Sequence, residues 1–108
     1  MAEVKRWLTE VDVDHTMRLQ PLLRSLFFWL MDTDDLREHL EAEARYYAQL
    51  AEQYRQYAAR KDGGEFGYSP QTQSMRVTVE AAIRLYSALA DWAEWAQTVP
   101  PATPSTDH

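Results

Sequence analysis

Between Met75 and Ala96 the chain reads MRVTVEAAIRLYSALADWAEWA, and the apolar residues of this stretch fall on two faces of a helix rather than one. One stripe is Met75, Val79, Ala82, Tyr86, Leu89, Ala93 and Ala96. A second, displaced around the cylinder, is Thr78, Ala81, Leu85, Ala88, Trp92 and Trp95. Only a narrow ribbon of Arg76, Glu80, Arg84, Ser87, Asp91 and Glu94 remains for water. The pentapeptide MRVTV has the look of a strand, but it sits inside this longer helical period. A helix with two apolar stripes has to bury both, and one neighbouring helix covers only one of them.

The first neighbour lies upstream. Asp32 or Thr33 can cap a helix whose first turn carries Asp34 and Asp35, where negative charge favours the helix dipole. From there to about Arg60 the apolar positions step by threes and fours through Leu36, Leu40, Tyr47, Leu50, Tyr54 and Tyr57. Ala44, Ala51 and Ala58 recur every seven residues, the spacing that keeps one seam against a partner helix. At about 1.5 Å per residue such a helix runs on the order of 40 Å, which predicts coiled-coil packing. All three glycines of the chain lie in KDGGEFGYSP, from Lys61 to Pro70, a helix stop, a loop and a restart. The last helix is therefore expected from Pro70–Thr72 to about Gln97, antiparallel to the long one.

Nearer the N-terminus, PLLRSLFFWLM within Thr16–Met31 is apolar nearly all round and predicts an enclosed helix, with Pro21 in its first turn. Arg24, set among these neighbours, is expected to be held by a carboxylate or by helix C-terminal carbonyls. Val4, Trp7 and Leu8 make a short amphipathic helical turn, and VDVDHT reads as a connector. The expected architecture is all-α: a short N-terminal helix, a buried helix and a long antiparallel pair with coiled-coil-like packing. Residues 1–98 form one helical domain. The Pro-, Ser- and Thr-rich end, 99–108, reads as a disordered tail.

Composition narrows the function. With 11 basic and 17 acidic side chains in 108 residues, the net charge of −6 argues against binding nucleic acid directly. The absence of cysteine excludes disulfides and thiolate metal sites. No apolar run has the length of a signal peptide core or a membrane span, so a cytoplasmic location without membrane association is expected. His39 and Glu43, one turn apart, read as a solvated helix face rather than a metal site, and His15 and His108 are remote from them. The carboxylates Glu38, Glu41, Glu43 and Glu52 alternate with Arg37, Arg45, Arg55 and Arg60 as an ion-pair surface rather than a catalytic set. No phosphate loop, nucleophile motif or cofactor fingerprint is present, and neither an enzyme nor a cofactor is expected.

Trp7-Leu8, Arg24-Ser-Leu-Phe-Phe28, a long charged helix and VTVEAAIRLYSALADWAEW together resemble the C-terminal helical domain of PadR-like transcriptional regulators, also called the virulence activator alpha C-terminal domain. The resemblance covers about residues 4–97. It implies a dimerisation module of a bacterial regulator whose DNA reading is done by a winged helix-turn-helix, a part with no counterpart in these 108 residues. The chain reads either as an excised domain or as a stand-alone relative. The expected partner is a second copy, with the dimer interface on Leu85, Ala88, Trp92 and Trp95, joined by Tyr47 and Tyr54. The rings admit two uses. The favoured one is core and interface. The other is an effector pocket for an aromatic small molecule at Trp29, Tyr57 and Tyr86, which would suit a stand-alone helical binding protein.

Overall fold

A computed structural model describes residues 2–15 and 19–99. The described residues are all-helical, in the order α1 (Ala2–Glu10), α2 (Gln20–Ser25), a single 3-10 turn (Phe28–Leu30), α3 (Thr33–Asp62) and α4 (Pro70–Ala96). The two long helices pack against each other along their length. The expected tail lies, beyond Val99, outside the described residues, as do His108 and the expected helix start at Thr16.

The ends of the long pair follow from local chemistry. At the start of α4 the Ser69 hydroxyl accepts the backbone N–H of Thr72 at 3.2 Å, and Pro70 occupies the first turn, where its missing N–H costs nothing. Asp32 stands at the corresponding position of α3, but its side chain makes no capping bond. Beyond Asp62 the chain turns through Gly64 at φ 90°. A side chain there would be strained and would meet the Tyr68 hydroxyl at 2.7 Å.

Small residues hold the seam. Ala44, Ala51 and Ala58 of α3 are buried together with Leu40 and Tyr47; opposite them are Val79, Leu89, Ala90 and Ala93 of α4. Alanine at every second seam position of α3 lets the two backbones approach closely, and Tyr47, Tyr54 and Tyr86 fill the space between. Lys61 closes the seam at the corner. It is only 3% exposed, donates to Gln73 Oε1 at 2.7 Å, and its ammonium sits 5.0 Å from the centre of the Tyr68 ring.

The region before α3 differs from the expected enclosed helix. It is a six-residue helix followed by a 3-10 turn, and neither contains a buried residue. Arg24 is correspondingly exposed to water. An all-round apolar segment demands cover from several sides, and the single chain offers only the end of the α3–α4 pair. The whole is a slab of 64 × 34 × 14 Å with a radius of gyration of 19.5 Å. A compact domain of this length would have a radius near 13 Å. The slab is one helix thick, half of the usual two-layer arrangement.

Candidate interaction surface

The two flanks of the seam have opposite character. On one, Arg76 of α4 pairs with Asp62 of α3 at 3.0 Å and with Glu80 at 2.9 Å, and Glu80 pairs in turn with Arg84 at 2.8 Å. Arg55 donates to the Ser87 hydroxyl at 2.6 Å further along. The guanidinium of Arg76 holds the Asp62 carboxyl below its usual range. Arg84, with Arg76, does the same to Glu80. At the corner Arg60 bonds Glu65 and lowers its carboxyl likewise. These pairs are exposed and screened by water, so their main effect is to make this flank polar.

The opposite flank is apolar. Leu50 and Tyr57 of α3 stand one position before the seam residues Ala51 and Ala58, Leu36 continues their seven-residue row, and Leu85, Trp92 and Trp95 of α4 face the same side. The Tyr57 hydroxyl reaches Met75 Sδ at 3.0 Å, and its ring stacks on Phe66 with centroids 5.1 Å apart, closing the corner end. At the other end Phe28 and Trp29 of the 3-10 turn, Leu36, Leu40, Trp92, Trp95 and Val99 wall an open groove of about 360 Å³, with Ser25 and Met31 at its edge. Trp29 is 69% exposed and Trp95 62%. His39 is set edge-on to the Phe28 ring at 5.7 Å, which fixes one wall. Among the described residues no charged side chain lines the groove.

The second apolar stripe of α4 is thus the one the chain leaves open. Leu85, Ala88 and Trp95 are exposed and Trp92 is half-buried, while Val79, Leu89 and Ala93 of the first stripe are buried against α3. Tyr47 and Tyr54, expected beside them at a subunit interface, are instead engaged within the chain. Both stack on Tyr86, at 6.0 and 5.9 Å between centroids. Burial, followed by the nearby Glu43 carboxylate, pushes the Tyr47 phenol up. The three residues expected to share an effector pocket are separated: Trp29 walls the groove, Tyr86 is inside the seam, and Tyr57 is at the corner. Phe28, Met31, Leu36 and Val99 were not expected in a site. The signal for Leu36 was the seven-residue step Leu36, Glu43, Leu50, Tyr57, which marks a flank.

Among the described residues no group of three or more His, Asp or Glu side chains is placed to hold a metal ion, and no helix is long and apolar enough to cross a membrane. Compared with known proteins, the chain matches the family described as virulence activator alpha C-term over residues 17–99. No curated protein and no solved structure matches it.

Proposed function

From its membership of the virulence activator alpha C-terminal family, we propose that this chain is the dimerisation domain of a PadR-like bacterial transcriptional regulator, acting in the cytoplasm and without catalytic chemistry of its own. The observation that carries the reading is the uncovered stripe of Leu85, Ala88, Trp92 and Trp95 on a slab only 14 Å thick. Trp95 of the stripe and Trp29 of the adjoining 3-10 turn, 62% and 69% exposed, leave on the order of 150 Å² each in water, and such anchors concentrate binding energy in protein interfaces. A second copy related by a two-fold axis would lay its own apolar flank on this one and supply the missing layer. The ion-paired flank would stay in water. In a regulator, the pairing would hold two DNA-reading heads at the separation of two operator half-sites.

A second reading draws on the groove itself. Its volume of about 360 Å³ is at the small end of ligand sites, and its walls of Phe28, Trp29, Trp92 and Trp95 suit an uncharged planar aromatic effector. Fusion to a monomeric DNA-binding head separates the two readings. A dimerisation domain restores high-affinity binding to a two-half-site operator without any added small molecule, and loses it on Trp92→Ala. A sensing protein that does not dimerise leaves the fusion bound to single half-sites only.

A further inference from the structure

The open stripe of α4 is complementary to itself when read backwards. Thr78, Ala81, Leu85, Ala88, Trp92 and Trp95 step alternately by three and four, the seven-residue repeat of a helical seam. All are exposed except the half-buried Trp92. Size runs along the stripe in one direction, from Thr78 and Ala81 to Trp92 and Trp95. A parallel pairing with a second copy would set each residue on its own counterpart, tryptophan on tryptophan at one end and alanine on alanine at Ala81 and Ala88. An antiparallel pairing about a point between Leu85 and Ala88 sets Leu85 on Ala88, Trp92 on Ala81 and Trp95 on Thr78, a large side chain against a small one at every layer. A face as long as the 27-residue α4, about 40 Å, and two helices or about 20 Å wide covers about 800 Å² per copy, the area that a standard stable interface buries on each side.

The charges beside the stripe obey the same two-fold relation. Along its edge away from α3 runs a second seven-residue row of Val77, Arg84 and Asp91, all exposed. Antiparallel packing brings like edges together, and Arg84 and Asp91 stand at distances from the stripe's centre that match to within two residues, about 3 Å. Arg84 of each copy therefore lies across from Asp91 of the other. Within the chain Arg84 pairs only with Glu80, at 2.8 Å, and Asp91 has no ion-pair partner among the described residues. Glu80 and Glu94 stand further around the helix toward water, and Glu80 is shared between Arg76 and Arg84. The row that α3 lends to this face is Leu36, Glu43, Leu50 and Tyr57, and its one charge, Glu43, lies beside the Tyr47 phenol.

We propose that two copies pair α4 with α4 in antiparallel register centred between Leu85 and Ala88, and that the reciprocal contacts of Arg84 with Asp91 make the chain select its own kind. The inference rests on the dimer reading above. It adds a direction, a register and a means of excluding related chains whose charges at these two positions differ. A seam of rings and alanines accepts many apolar helices, whereas like charges facing each other at its edge penalise a wrong partner.

Charge reversal at the two exposed positions tests the selection. Arg84→Glu sets two carboxylates across each edge and Asp91→Arg sets two guanidinium groups, so sedimentation over a dilution series should show each single variant weakened about tenfold or more. An equimolar mixture of the two opposes unlike charges at both edges and should regain the parent affinity as a heterodimer, as should the double variant as a homodimer. The proposal is overturned if the single variants dimerise like the parent, or if the mixture stays as weak as they are. Oxidation reads the direction separately, because the chain contains no cysteine. A parallel pairing would place Ala81→Cys beside its own copy, whereas the antiparallel register sets the two about 16 Å apart along the helices. A disulfide needs Cα atoms within about 7 Å, so this variant should stay uncross-linked. A covalent species of twice 12.6 kDa would overturn the register while leaving the dimer. A parent chain that is monomeric throughout would instead bring down the dimer reading and the proposal with it.

Discussion

The ring of Tyr86 on α4 lies parallel to that of Tyr54 on α3, with the planes 8° apart and the centroids separated by 5.9 Å, and Tyr47 stacks on the same ring at 6.0 Å. This three-ring stack fills a seam whose other buried residues are alanines with Leu40, Val79 and Leu89. Tyr86→Ala removes its middle member and should destabilise the fold by about 2 to 4 kcal/mol, while Tyr86→Phe should be nearly neutral. Urea unfolding at fixed protein concentration measures both. Equal losses for the two variants would mean that the hydroxyl, not the stack, matters.

Ala51 is the most tightly enclosed seam residue of α3, at 1% exposure. Ala51→Leu inserts volume into the closed seam and should cost about 1 to 3 kcal/mol, whereas the exposed Ala48→Leu on the same helix should change stability little. Thermal unfolding of the two variants tests the claim that small size, not helix propensity, selects alanine at positions 44, 51 and 58. A tolerated Ala51→Leu would refute it.

The pairs of Asp62, Glu65 and Glu80 with arginines give stability a small dependence on pH whose sign is fixed. Each carboxylate has a folded-state pKa below its unfolded value. Their contribution is therefore complete above the ordinary carboxylate range near 4, and is lost as pH falls through the lower folded values. Stability should decline on acidification below about pH 4, and Asp62→Asn should make that decline shallower. Superimposable pH profiles for the variant and the parent protein would show that Asp62 contributes nothing.

Trp92 borders both the seam and the groove, and Trp95 only the groove. If the apolar flank is the subunit interface, Trp92→Ala should cost about 2 kcal/mol or more of association free energy. Trp95→Ala should weaken association while leaving the secondary structure of the dissociated chain unchanged, since its ring is mostly in water there. Sedimentation of both variants over a dilution series checks the two expectations. Undiminished association in both would move the interface elsewhere.

The long pair was legible because its signals are local: the seven-residue alanine step, the glycines gathered at the corner, and the two stripes of α4. The division of labour between those stripes was legible too, because Val79, Tyr86 and Ala93 continue a seven-residue step that matches Ala44, Ala51 and Ala58. The use of Tyr47 and Tyr54 was not. A seam residue announces that it meets a helix, not whether that helix belongs to the same chain. Trp29, Tyr57 and Tyr86 were grouped by chemistry, but the register of α3 against α4 and the fold-back of the 3-10 turn decide their neighbours, and neither helix encodes these alone. The apolar run before Met31 carries no period because it calls for cover on every side. Within the described chain only the end of the α3–α4 pair lies against it, so it forms a six-residue helix and a 3-10 turn with no buried residue.

The central claim is that the apolar flank belongs between two copies of the chain, and the mass of the particle in solution tests it most directly. Light scattering or sedimentation equilibrium at micromolar concentration should give twice the chain mass of 12.6 kDa, with a monomer emerging only on dilution. A single species at 12.6 kDa throughout that range, with Trp29 and Trp95 in water, would contradict the account.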